Sequence, residues 1–539
     1  MLKKQSTYAD LCAGFAWDIP EFYNVGADAC DRVSEHAPDA PAIIDVTATG
    51  TNVHSFADLK SLSNRYANVL SQHAERGDRI AVLLPQRVET AAAHIAITKM
   101  GCIALPLTVL FGPDALSHRL GNSEAVAVIT DLETAPKVLK LREDLPALHA
   151  LYTVDGAIAG TADLTELSGQ ASDTFEPVET TSDDPAFLIY TSGTTGPPKG
   201  ALHGHRVLLG HLPGVEMSHD FLPQPNDKIW TPADWAWIGG LLDVLFPALH
   251  HGIPVVAHRF DKFTGEAAFD FIETHSIRNA FLPPTALKLM RQATNQRPLA
   301  MRSVASGGET LGKELIAWGQ ATFGTTINEF YGQTECNMIV SSCAAIAQAE
   351  PGVMGFPVPG HQIEVLTDAH QPCAQNEIGA IAVKAPDPVM FLGYWQNAQA
   401  TQDKFVYNDD GQWLLTGDTG LKTTSGRIQF VGRDDDVINS AGYRIGPGEI
   451  EDCLLTHPAV QLAGVVGASD ETRGERVVAF VRLADGHAES EALALDIQSH
   501  VKSRLAAYEY PREVHFIYDM PMTTTGKIIR AELRAQLRK

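Results

Sequence analysis

Residues Tyr190 to Gly200 read YTSGTTGPPKG. Four hydroxyl side chains (Thr191, Ser192, Thr194, Thr195), three glycines (Gly193, Gly196, Gly200) and one ammonium, Lys199, are packed into a single turn. Glycine lets the backbone fold tightly enough for several N–H groups to point at one anion. The hydroxyls add donors and the lysine adds charge, so the combination suits gripping phosphates. The spacing is not the Walker pattern, which needs Gly-Lys-Ser/Thr after four free positions. A flexible linker has a similar composition. A linker would not, however, follow directly on the apolar run Ala186-Phe187-Leu188-Ile189, which reads as a buried strand.

The elements that must position this loop alternate along the first two thirds of the chain. Arg79–Leu84 reads as a strand, Val88–Met100 as a helix and Ala125–Ile129 as a strand. After the loop come a strand at Lys228–Trp230, a helix at Ile238–Leu249, a strand at Pro254–Val256 and a helix at Gly265–His275. Arg278–Leu282, Ser303–Ala305 and Thr326–Phe330 continue the series as strands. Such alternation predicts an α/β fold, a large N-terminal domain of mostly parallel sheets covered by helices. From about residue 360 the pattern changes: Gln362–Leu366 and Ile378–Val383 read as strands separated by polar turns, as in a small β-barrel-like piece. A break follows at Gly432-Arg433-Asp434-Asp435-Asp436, where a run of acidic residues reads as a solvated loop. Beyond it, a helix at Pro447–Thr456, strands at Gln461–Val466 and Val477–Val481, a helix at Ala492–Leu505 and a strand at Val514–Tyr518 predict a small α+β domain. The expected division is 1–432 and 433–539.

The bulk numbers agree with this size. A chain of 539 residues exceeds one ordinary core, so two or more domains are expected. With 41 Lys plus Arg against 65 Asp plus Glu, the net charge of −24 argues against a nucleic-acid partner. Seven cysteines are scattered without CxxC spacing, which disfavours zinc and disulfides and points to a reducing, cytoplasmic setting. No apolar stretch follows the two lysines near the start, and the longest apolar run, Cys102–Phe111, is broken by Pro106 and reads as a core strand, so neither signal peptide nor membrane association is expected. A monomer or a homo-oligomer is compatible with all of this.

The loop at 190–200 resembles the signature of the adenylate-forming enzymes: acyl-CoA synthetases, luciferases and the adenylation domains of peptide synthetases. Five further segments match that superfamily in the same order, with the closest overall resemblance to the medium-chain acyl-CoA synthetases. The resemblance implies binding sites for ATP, Mg²⁺ and, as co-substrate, CoA. It lays Gly307, Gly308 and Glu309, within Ser306–Thr310, along the adenine ring. Within Glu329-Phe330-Tyr331-Gly332-Gln333-Thr334-Glu335 it sets Tyr331 against adenine, Thr334 near the α-phosphate and Glu335 on the metal. A hard cation such as Mg²⁺ takes a carboxylate together with phosphate oxygens. Asp418, in Thr416-Gly417-Asp418, and Arg433 match ribose contacts, and Asp435 matches the hinge of a mobile C-terminal domain. Ala441, Gly442, Tyr443 and Arg444 match a loop that meets substrate and CoA, while Arg473 and Ser503 fall near CoA contacts. Glu449 and Glu451 read as solvated or capping. Lys527, in Pro521–Ile528, matches the catalytic lysine; Arg530 and Lys539 read as solvated surface.

The reaction implied has two steps. A substrate carboxylate attacks the α-phosphorus of ATP, releasing pyrophosphate and leaving an acyl-adenylate; a thiol then displaces AMP. Lys527 would stabilise charge building on the first transition state. Rotation about Asp435 would then present the CoA loop to the same site. The acid is less legible. The position matching Gly332 is tryptophan in acetyl-CoA synthetases, so glycine is expected to leave space open for a short- to medium-chain aliphatic acid, with an aryl acid next. Trp235 is expected to gate the thiol channel and border the pocket; Trp237 either lines that pocket or packs in the core. Two other classes stay open: an amino-acid adenylating enzyme serving a carrier protein, with Asp234 as the acidic partner of the amine, and a non-catalytic nucleotide sensor.

Overall fold

The computed structural model describes residues 1–191, 198–309, 311–433, 436–440, 443–470, 474–505, 509–523 and 527–537. Two large sheets dominate the N-terminal region. One has eight strands and the other nine, and both are parallel through their centres. The first runs through Arg79–Leu83, Ile103–Pro106, Ala127–Thr130 and Pro185–Tyr190, its last strand starting with the apolar run before the phosphate-type loop. The second includes Ile229–Trp230, Val255–Ala257, Asn279–Phe281, Ser303–Gly307 and Ile327–Gln333. The expected mostly parallel architecture is therefore present. The sequence reading missed the antiparallel hairpin Pro41–Thr47 and Gly50–Ser55 that edges the nine-stranded sheet.

Helices lie between the two sheets. Val88–Lys99 is buried at 11 of its 12 positions and Val207–Ser218 at every one. A helix apolar on all sides has no solvent face to offer, and these two share one core with strands from both sheets. The expected helix at Ile238–Leu249 is also present, but its middle, Leu241–Leu245, widens into a π-turn. Such a turn inserts one residue into the ladder and is frequent beside functional sites.

A five-stranded antiparallel sheet follows, carrying Ile363–Leu366, Ile378–Lys384, Phe405–Asn408, Gly411–Lys422 and Ile428–Arg433, which accounts for the barrel-like pattern. The C-terminal region builds a second five-stranded sheet with its own core, flanked by the helices Pro447–Leu455 and Glu491–Lys502. Asp434 and Asp435 lie outside the described residues, but their neighbour Asp436 is not a solvated loop acid. Arg530 and Arg534, from the last helix, both bind its carboxylate, the latter at 2.8 Å. Arg530 also grips Glu451 at 2.7 Å, and Glu451 accepts from the Val465 N–H. Arg530 and Glu451, expected at the solvated surface, are thus an ion pair within this domain.

Candidate active site

Two chain reversals define the site. In the eight-stranded sheet, Pro185–Tyr190 runs parallel to one neighbour and antiparallel to Gly200–Gly204. The segment between them is the hydroxyl- and glycine-rich loop, pinched at its base where the Thr191 N–H donates to the Lys199 carbonyl at 2.9 Å. In the nine-stranded sheet, Ile327–Gln333 runs parallel to Ser303–Gly307 and antiparallel to Cys336–Ser341. The link there is only Thr334 and Glu335. In open α/β sheets the carboxyl ends of strands, at switches in topology, are where ligands bind.

Both reversals open on one cavity of about 410 Å³, a volume suited to a small ligand. Thr191 and Lys199 line it from the first, and Glu329, Phe330, Tyr331, Gly332, Gln333, Thr334 and Glu335 from the second. Gly308, Glu309, Asp418, Arg433 and Lys527 line it as well. Gly307 lies just behind it: a Cβ there would come within 2.5 Å of the Phe330 ring. Gly308 adopts φ +99°, a backbone state few other residues tolerate, and keeps the approach to Lys527 open. Ser192, Gly193, Thr194, Thr195 and Gly196 lie outside the described residues, as do Asp435, Ala441, Gly442 and Arg473. Tyr443 and Arg444 are described as backbone only, in the strand Tyr443–Ile445. Ser503 caps a helix, its hydroxyl donating to the His500 carbonyl.

The polar groups of the cavity are ordered by partners distant in sequence. The Tyr331 hydroxyl donates to Asp418 Oδ2 at 2.5 Å, which ties the ring to the strand Gly411–Lys422. Asp418 pairs in register with Arg433 across adjacent strands, Nε to Oδ1 at 3.3 Å. Its Oδ1 is buried and accepts no hydrogen bond among the described residues, leaving an acceptor for a ligand hydroxyl. Burial raises the Asp418 carboxyl, opposed by Arg433, Tyr331, Lys404 and Lys527. Glu329 is buried too; desolvation, weakly opposed by the Leu311 N–H, pushes it up to about 8. Lys527 keeps solvent access in this cleft, yet crowding there lowers its pKa against the pull of Glu309 and Asp418.

Glu335 is 7% exposed and accepts a short hydrogen bond from the Tyr394 hydroxyl. Among the described residues its other oxygen takes no protein hydrogen bond. No group of three or more His, Cys, Asp or Glu clusters for a metal among the described residues. A carboxylate on the cavity wall with one oxygen not engaged by protein fits a hard cation that completes its shell with phosphate and water oxygens.

Two expectations are corrected, at Trp235 and Gly332, and of the two alternatives for Trp237 the packed one is found. Trp235 is 1% exposed and belongs to the main core, so it borders no part of this cavity. Trp237 packs edge-on against Phe111, ring centroids 5.8 Å apart, at the edge of another core. The space expected to be open beside Gly332 is filled by the chain itself: a Cβ there would lie 2.5 Å from Asn337 Cα and Met338 N. Asn337 is held in turn by two contacts to the buried Asp243, at 2.8 and 3.0 Å. Asp234, the acid reserved for an amine, is engaged by Thr108 Oγ1 at 2.7 Å and the Ala236 N–H. The sequence reading also missed Tyr394, Lys404, Met354 and Phe430 on the cavity wall. Lys404 donates weakly to Gln333 and to the Thr416 carbonyl; no local motif distinguished it.

A hydroxyl-rich loop, a carboxylate for a cation, a diol acceptor and an incoming lysine around one cavity are the parts of a nucleotide-activating site. The family model for AMP-binding enzymes matches residues 30–395, and that for their C-terminal domain matches 449–527. The chain belongs to the AMP-binding enzyme family. More particularly, it is 34% identical to the acyl-coenzyme A synthetase ACSM4, mitochondrial, of Homo sapiens, over 96% of this chain and 91% of that one. Among solved structures it is similar to an acyl-CoA synthetase of Brucella canis, at 30% identity and TM-score 0.73, covering 99% and 100% of the two chains. An anthranilate CoA ligase, AuaEII, in complex with anthranoyl-AMP superimposes with TM-score 0.87 at 25% identity, covering 97% and 98%.

Proposed function

We propose that this chain is an ATP-dependent, AMP-forming acid–CoA ligase acting on a short- to medium-chain aliphatic acid. The observation that carries the reading is the meeting of Lys527 with Asp418, Glu309 and the two reversals around one cavity. In this role Asp418 and Arg433 hold the ribose, Tyr331 and the turn at Gly307–Glu309 flank the base, and Glu329 borders it. Lys199 and the loop from Thr191 hold phosphates. Thr334 sits at the reacting phosphorus, and Lys527 neutralises charge as the acid's oxygen attacks it. Glu335 would hold Mg²⁺, which neutralises phosphate charge when bound.

In this reading the boundary falls at 432/433, with Asp435 as the hinge and Ala441–Arg444 and Arg473 meeting CoA after the turn. The Lys527-inward arrangement suits adenylate formation. With Asn337 filling the side of Gly332, an acyl chain extends in another direction from the cavity. The cysteines, scattered without CxxC spacing, suit a reducing compartment such as the cytoplasm, and no helix among the described residues is long and apolar enough to cross a membrane. A panel of aliphatic, aryl and amino acids, scored by pyrophosphate release with and without CoA, tests the reading. AMP and acyl-CoA formation that depends on CoA and peaks with an aliphatic acid is expected. Adenylate formation indifferent to CoA would sink the ligase assignment, and a peak with amino acids would transfer the chain to the carrier-loading class.

A further inference from the structure

Tyr394 lies in a two-residue edge strand, Gly393–Tyr394, that pairs antiparallel with Gly200–Gly204. Its backbone is fixed from both sides: the Tyr394 N–H donates to Thr401 Oγ1 at 2.8 Å, and its neighbours Leu392 and Trp395 donate to the Leu202 and Gly200 carbonyls at 2.7 Å each. The ring therefore has a set position beside the end of the phosphate-type loop. Its hydroxyl donates to Glu335 Oε1, and its face carries the Lys199 ammonium, 5.2 Å from the centroid. One phenol thus touches the cation of one reversal and the anion of the other.

Opposite charges this close to a common cavity would otherwise attract each other, and a Lys199–Glu335 ion pair would withdraw both from a nucleotide. The phenol satisfies each separately: the ring face attracts the ammonium, and the hydroxyl occupies one carboxylate oxygen. The second oxygen of Glu335 is then presented toward the cavity. We propose that Tyr394 is a positioning residue that orients Glu335 toward the metal ion of the nucleotide and keeps it apart from Lys199. The inference rests on the reading of Glu335 given above. Partners that orient a metal-ligating carboxylate typically change metal affinity ~10-fold or more when removed.

The test is ATP binding to the full-length enzyme, measured calorimetrically without acid or CoA across a Mg²⁺ titration, for wild type, Tyr394→Phe, Tyr394→Leu and Glu335→Gln. Thermal midpoints of the same samples report folding. Tyr394→Phe, which keeps the ring, is expected to raise the half-saturating Mg²⁺ ~10-fold with an unchanged midpoint; Tyr394→Leu is expected to raise it further, since Lys199 then reaches Glu335. If Glu335→Gln shifts the Mg²⁺ dependence and Tyr394→Phe does not, the positioning role is overturned while the site reading stands. If neither shifts it, the reading of Glu335 fails and the inference falls with it.

Discussion

The two reversals that make the site solve one problem by opposite means. Each is a place where a parallel sheet turns antiparallel, so each delivers polar residues from the end of a buried strand. The first spends Thr191 to Lys199 on the turn, and the second only Thr334 and Glu335. A long loop with several glycines can wrap an anion and share the load among many donors. A two-residue link cannot wrap anything, but it aims one side chain, and its surroundings are packed to hold that aim. Redundancy and rigidity are thus assigned to different corners, and Lys527, near the C-terminal end of the chain, lines the cavity that both share.

If this division is right, the lysine that serves both corners matters most. Lys527→Ala is expected to slow pyrophosphate formation about 1,000-fold, the upper range for one preorganised charge. Thioester formation from a supplied adenylate should change far less, and single-turnover assays of each half-reaction separate the two. A loss shared equally by both halves would remove Lys527 from its special place. Its lowered pKa adds a pH signature: the charged form disappears at a pH below that of an ordinary lysine, so the alkaline fall of adenylation should come early and move upward in Lys527→Arg.

Removing the charge from each corner sharpens the contrast. Glu335→Gln should cost on the order of 100-fold in kcat, because nothing else in its link can stand in. Lys199→Ala should cost only about 10-fold, mainly in KM for ATP, because neighbouring donors of the loop persist. Equal losses would mean that the long loop is not redundant. Packing should show the same asymmetry. Gly332→Ala sets a Cβ against the Asn337 and Met338 backbone and is expected to destabilise by about 1–3 kcal/mol. Gly200→Ala meets first the tip of Leu188, at 2.8 Å, which can rotate away, so its thermal midpoint should fall less.

A last effect, spread along the pH scale, concerns Glu329, at the base of the tight corner. Its folded pKa, about 8, lies above the ordinary 4.5, so the folded state keeps a proton that the unfolded chain has lost. The stabilising contribution is complete below about 4.5 and is lost as pH rises through about 8. Denaturant titrations between those limits should show a downward slope of at most about 1.4 kcal/mol per pH unit, flattened in Glu329→Gln.

Much of this was legible in the chain. The strand before the loop was marked by four consecutive apolar residues, and the helix Val88–Lys99 by an apolar run of helical length. Motif residues such as Asp418 and Tyr331 were legible by type, but their hydrogen bond, across 87 positions, was not. Arg530 and Glu451 were read as solvated because charged residues usually are; they face each other across 79 positions once helix and strands have packed. Trp235 was read by its neighbours in sequence, whereas its burial is set by the helices and strands that surround it.

The sequence by itself determined the order of elements, the loop that can hold phosphates and the charges available for catalysis, since periodicity and residue type act over a few positions. Only the tertiary structure decided that Asn337 occupies the flank of Gly332, that Tyr394 stands with both Lys199 and Glu335, and that Lys527 points into the cavity. Each depends on strand register and on the packing of one layer against another, and contacts of that kind are fixed by the whole fold rather than by any local window of residues.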